Sequence, residues 1–194
     1  MNKYNRKNAE TEERIKRAAI RIYENSRDNS FSVTNICTLA GINRCTFYLH
    51  YSCVEELMEN LKSELLDGME AHSRGLRLYN IYDVQHHRSS REEKALVGVM
   101  CYCAEKRDYM IPLLSPEGDP GFREDLRQMI AGLFIASFYL YNQTYGSEQA
   151  YAIRFITSGL VDILYNWLIC QDKSPEEMSA FCMRMSELVP VIQK

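Results

Sequence analysis

The sequence is short of residues that interrupt helices and of patterns that build active sites. Nine glycines and five prolines in 194 residues leave long uninterrupted stretches. The breaks cluster: three prolines and two glycines fall within 112–122, the clearest interruption in the chain. The longest apolar run, "MIAGLFIAS", is too short for a bilayer, which takes about 20 residues, so no membrane association is expected. The charged start "MNKYNRKNAETEERIKR" has no apolar stretch behind it, unlike a secretory leader. The seven cysteines show no CxxC spacing, so free thiols in a reducing cytoplasm are expected and a metal site is not. No Ser-His-Asp pattern, glycine-rich phosphate loop or HExxH is present, so catalytic residues and a cofactor are also unexpected.

Charge is unevenly spread. Residues 1–52 hold nine Lys/Arg against five Asp/Glu, a surplus of +4 in a chain of net charge -3, which leaves -7 for the rest. A basic head on an acidic body points to a polyanionic partner for the head alone.

Apolar spacing is helical nearly throughout, and no segment alternates as a strand does. Ile15, Ala18, Ala19, Ile22 and Tyr23 step by three and four, predicting an amphipathic helix over 10–27. Ser32 is a suitable N-cap for a helix over 33–40, Gly41 for its left-handed end, and Asn43 for a helix over 44–50. Longer helices are predicted over 54–74, 91–106, 119–144, 147–170 and 175–189, the last opened by Ser174 and Pro175. The expected fold is all-α with about nine helices, divided into a head (1–52) and a body (53–194), with helix 4 as connector from about 54. Residues 75–90, with Gln85, His86, His87 and Arg88, are the least regular; the two histidines there read as solvated loop residues.

The helices over 33–40 and 44–50, joined by a short turn at Gly41, make a helix-turn-helix. Ile36, Ala40, Ile42 and Phe47 are placed to lock both onto the first helix. Arg44, Cys45, Thr46, Tyr48 and His50 are left facing outward, a mixture that suits the major groove of B-DNA. Arg44 can donate to guanine, and Cys45 and Thr46 are small enough to approach bases. Tyr48 and His50 can reach phosphate oxygens, while Ser32 and Thr34 can offer donors to another phosphate.

The stretch "FSVTNICTLAGINRCTFYLHYSCVEELMENL" resembles the DNA-binding head of the TetR/AcrR family of bacterial transcriptional regulators. The shared pattern is Gly41, Ile42, Thr46, Phe47, Tyr48, His50 and Tyr51, followed by Glu55, Glu56 and Leu57. The body is similar in layout to the family's ligand-binding and dimerising domain, and "LLSPEGDPGFREDL" and "YAIRFITSGLVDILYNWL" look like those of a low-GC Gram-positive branch. Two positions depart from the pattern. Cys45 stands where a small residue, frequently glycine, is common, and Val54 where a phosphate-binding lysine is frequent, which implies weaker DNA binding than is usual.

The resemblance implies a homodimer, an effector pocket and a palindromic double-stranded DNA operator. The last two helices are the dimer candidates, with Phe155, Gly159, Ile163, Trp167, Phe181 and Met185 at the contact; these positions also suit the chain's own core. Pocket candidates are Tyr102, Met110, Leu133, Phe134, Ser137, Phe138, Tyr141 and Trp167, though residues of this kind at such positions are more often plain core. The expected function is a ligand-responsive regulator, a repressor, whose small-molecule effector the sequence does not identify. The alternative is a helix-turn-helix adaptor whose main partner is another protein.

Overall fold

The computed structural model describes residues 3–25, 31–74, 76, 90–140 and 146–186. The described residues are all-α, in nine helices: α1 (Lys3–Asn25), α2 (Val33–Ala40), α3 (Arg44–Tyr48), α4 (Val54–Ser73), α5 (Ser90–Glu105), α6 (Arg107–Leu114), α7 (Pro120–Leu140), α8 (Ser147–Cys170) and α9 (Pro175–Ser186). The segment with Gln85, His86, His87 and Arg88 lies outside them.

Local chemistry explains most boundaries. Asp119 caps α7 by accepting the Phe122 N–H at 2.9 Å, with Pro120 in the first turn, where its missing N–H leaves no bond unmade. Ser174 and Glu177 form a reciprocal box at α9: the Ser174 hydroxyl accepts the Glu177 N–H at 3.2 Å, and the Glu177 carboxylate accepts the Ser174 N–H at 2.8 Å. α1 begins at Lys3, earlier than the apolar spacing alone predicts. Pairs one turn apart line its polar side: Arg6 with Glu10 at 3.3 Å and Arg17 with Glu13 at 2.9 Å. Each is worth about 0.2–0.5 kcal/mol.

One helix was not legible in the sequence. The break expected from residue 112 begins at Ser115, because α6 runs on through Pro112. A proline inside a helix costs roughly 3 kcal/mol. Against it, Tyr109, Met110, Leu113 and Leu114 are all buried, and burial contributes about 1.5–3 kcal/mol for each large apolar side chain. Packing wins.

The chain divides into two compact units, Met1–Leu65 and Leu66–Lys194, and the division falls inside α4. The first half of α4 explains this, since Leu57, Leu61 and Leu65 are buried and Glu64 pairs with Lys16 of α1. In the first unit, α1 packs on α2 and α2 on α3, around the fully buried Ile15, Ala19, Ile36, Phe47 and Leu57. In the second, α7 packs on α8 and α5 on α9, with α6 against both α7 and α8. Ala131, Phe134 and Ile153 form the buried contact between α7 and α8.

Candidate nucleic-acid interface

Every backbone joint of the helix-turn-helix is held by a named contact. The Ser32 hydroxyl accepts the Asn35 N–H at 3.4 Å and opens α2. Gly41 closes it at φ 64°, a left-handed conformation that glycine adopts without penalty. Arg14 reaches across from α1 and donates to the carbonyl oxygens of Ala40 and, at 3.0 Å, Gly41. Asn43 caps α3, its Oδ1 accepting the Thr46 N–H at 2.7 Å and the Thr46 hydroxyl at 2.9 Å. Beneath this, Phe47 is fully buried, with Tyr48 edge-on at 5.6 Å and Tyr51 tilted at 5.9 Å.

The seven residues expected to face DNA divide by exposure. Thr34, Arg44, Cys45 and Tyr48 are exposed, and Ser32, Thr46 and His50 are half-buried. Thr46 spends its hydroxyl proton on Asn43, and the hydroxyl oxygen can still accept a hydrogen bond. His50 lies 6.2 Å from the Tyr51 ring. Arg44 is not adrift: its Nη2 donates to the Thr34 hydroxyl at 2.6 Å. That uses one of five guanidinium N–H groups; the others are available to acceptors such as base edges or phosphates.

Behind this face runs an ionic network that sequence reasoning missed. Lys16 is only 7 % exposed, yet its ammonium donates to Glu12 at 2.8 Å and to Glu64. The Tyr51 hydroxyl donates to Glu12 at 3.3 Å. Burial alone would push the Lys16 value down, but the two carboxylates outweigh it and the net shift is upward. The Lys16 hydrogen bond holds Glu12 below its ordinary value. Burial, then the Glu12 charge, raises the Tyr51 phenol. The network ties α1 to the middle of α4 and to the residues after α3. The spacing of Glu12 and Lys16, one turn apart, was the only local signal of it.

Val54, where the family pattern has lysine, is 8 % exposed. A lysine there would reach water only by laying its stem along apolar surface. Leu39 and Leu49 are exposed at 51 % and 85 %.

In the second unit several of the expected pocket residues have contacts of their own. Met110 is fully buried. Phe134 packs against Ala131 and Ile153. Tyr102 stacks on His72 at 5.2 Å. Trp167 is buried, its indole N–H donating to the Lys173 carbonyl at 2.9 Å. Tyr141 and the side chains of Ser137 and Phe138 lie outside the described residues. Four expected dimer residues do come together: Phe155, Gly159, Ile163 and Met185 line one open groove of about 630 Å³ on α8 and α9. Phe181 is half-buried under the Arg184 guanidinium at 5.9 Å. By length and composition α8 alone among the described helices could cross a bilayer, and a third (33 %) of its most apolar window is buried within the chain.

Residues 92–188 match a protein family described as "Transcriptional regulator C-terminal region". Among solved structures, a TetR transcriptional regulator from Streptococcus agalactiae 2603V is similar over 95% of this chain and 97% of its own, at 21% identity and TM-score 0.61. The fatty acid degradation regulator FadR from Bacillus halodurans is similar over 91% and 94%, at 13% identity and TM-score 0.57. The dihydroxyacetone kinase operon activator DhaS is similar over 93% and 94%, at 17% identity and TM-score 0.55. No curated protein matches the chain by sequence.

Proposed function

This chain belongs to the TetR family of transcriptional regulators, and we propose that it acts as a homodimeric, effector-responsive repressor on a palindromic DNA operator in the cytoplasm. The observation that carries this reading is the two-sidedness of α3. Phe47 is locked inside while Arg44, Cys45 and Tyr48 stand open. Such a helix suits a groove that presents acceptors, methyl groups and flanking phosphates.

A single head reads one half-site, so two copies are needed for a palindrome. The groove on α8 and α9 supports the pairing. Tyr151 and Phe155 are 76 % and 81 % exposed beside it, more apolar surface than a helix ordinarily leaves in water. A second copy would cover it, which also accounts for the apolar character of α8 without a membrane. α4 is continuous through the division between the units. An effector that binds the body better at one spacing of the two heads shifts the population toward that spacing. Heads held off the half-site distance release the operator.

The test is a footprint on DNA upstream of the chain's own gene at low salt. A protected, two-fold symmetric site is expected, and absence of any protection contradicts the reading. A second reading, a protein-binding adaptor, is favoured by exposed Leu39 and Leu49 on the head and by buried Val54 in place of a phosphate-binding lysine. Recovery from native extract of a stable protein complex without DNA would support it.

A further inference from the structure

Thr34 and Arg44 stand in the first turns of two different helices, α2 and α3, and both are exposed. The Thr34 hydroxyl accepts the Arg44 Nη2 hydrogen at 2.6 Å. An untethered arginine on a surface samples many rotamers, and freezing them on binding opposes affinity. A base edge is read only when donors arrive in fixed geometry. Thr34 is well suited to provide that restraint. Its side chain is short, with a single χ angle to fix and at most two favoured settings in a helix. Its own turn is anchored, with Ser32 capping α2 and the Thr38 hydroxyl donating to the Thr34 carbonyl at 2.9 Å.

We propose that Thr34 is a positioning residue for base readout: it orients the Arg44 guanidinium so that the remaining N–H groups meet the O6 and N7 acceptors of a guanine in each half-site. This rests on the DNA-binding reading above. The Thr34 hydroxyl keeps its own hydrogen, so it can donate to a phosphate while it accepts from Arg44. A phosphate contact alone carries no sequence information; a tether on Arg44 does. The two roles therefore separate by experiment.

The experiment is selection of DNA from a random pool by the full chain, followed by affinity measurement on single-base variants of the selected site. Arg44→Ala erases the preference for guanine at one position per half-site, a preference of about ten- to a hundred-fold. Thr34→Val keeps the volume and branching but removes the acceptor. It lowers the preference at that same position to a few-fold and leaves the others intact. Thr34→Ser restores it. In an Arg44→Ala background, Thr34→Val causes no further loss of preference. Two results overturn the proposal. In one, Thr34→Val weakens all sequences alike and leaves the salt slope unchanged, as loss of an uncharged phosphate contact would. In the other, it shifts preference at a position Arg44→Ala leaves alone. Failure of the wild-type chain to enrich any sequence is a different result; it overturns the DNA-binding reading itself.

Discussion

Arg14 and Gly41 are joined at 3.0 Å, the guanidinium of α1 donating to the glycine carbonyl in the turn of the helix-turn-helix. A Cβ on Gly41 would lie 3.1 Å from the same Arg14 Nη2, at φ +64°. Gly41→Ala therefore adds left-handed strain of about 1–2 kcal/mol and disturbs the Arg14 side chain, which caps the C-terminal end of α2. Arg14→Ala removes only the cap, at a cost of about 1 kcal/mol. Amide exchange at Phe47 and Tyr51 should accelerate in both variants, more in Gly41→Ala. Unchanged exchange would mean that the turn does not depend on this contact.

The Lys16 network predicts how head stability responds to pH. Glu12 is held below its ordinary value of 4.5, so its contribution is complete above that value and is lost as pH falls through the lowered one. Lys16 is raised above 10.5, so its contribution is complete below 10.5 and fails only in strong base. At neutral pH both are intact. Lowering pH through and below 4.5 should therefore weaken α1 protection, by an amount that solvent screening of the half-exposed Glu12 keeps small. Glu12→Gln should flatten this acid limb. An identical limb in the variant would assign it to other carboxylates.

Gly68 is fixed by a neighbour within the second unit. A Cβ there would meet the Tyr102 hydroxyl at 2.1 Å, and Tyr102 is held by its stacking on His72. Gly68→Ala should lower the thermal midpoint even though alanine favours helix. Adding Tyr102→Ala should recover part of the loss, because the clash vanishes. Simple addition of the two penalties would show that the sites do not touch.

Phe155, 81 % exposed, is the most direct handle on assembly. Phe155→Glu places a charge in the groove of α8 and α9 and should convert a sedimenting dimer to monomer with unchanged helicity. DNA affinity should then fall by more than tenfold. A dimer that persists would move the interface elsewhere.

What could be read from sequence followed from how local each feature is. α2 and α8 were legible to the residue because their ends are set by neighbours, Ser32 and Gly41 for α2 and Gly146 at the start of α8. α6 was not, since Pro112 reads as a terminator until the burial of Met110, Leu113 and Leu114 is known. Arg44 and Thr34 were singled out separately, as a base donor and a phosphate donor. Their bond depends on how two helices cross. Lys16 pairs with a carboxylate 48 positions away, beyond any periodicity.

The central claim is that the outer face of α3 meets DNA, and Cys45 tests it most directly. It is exposed on that face, and Cys101 is an exposed thiol in the other unit. Alkylation of both should be timed with and without saturating DNA of the selected sequence. The account predicts that DNA slows Cys45 by at least about tenfold and leaves Cys101 unchanged. Cys45 reacting as fast in the saturated complex as in the free protein would contradict it.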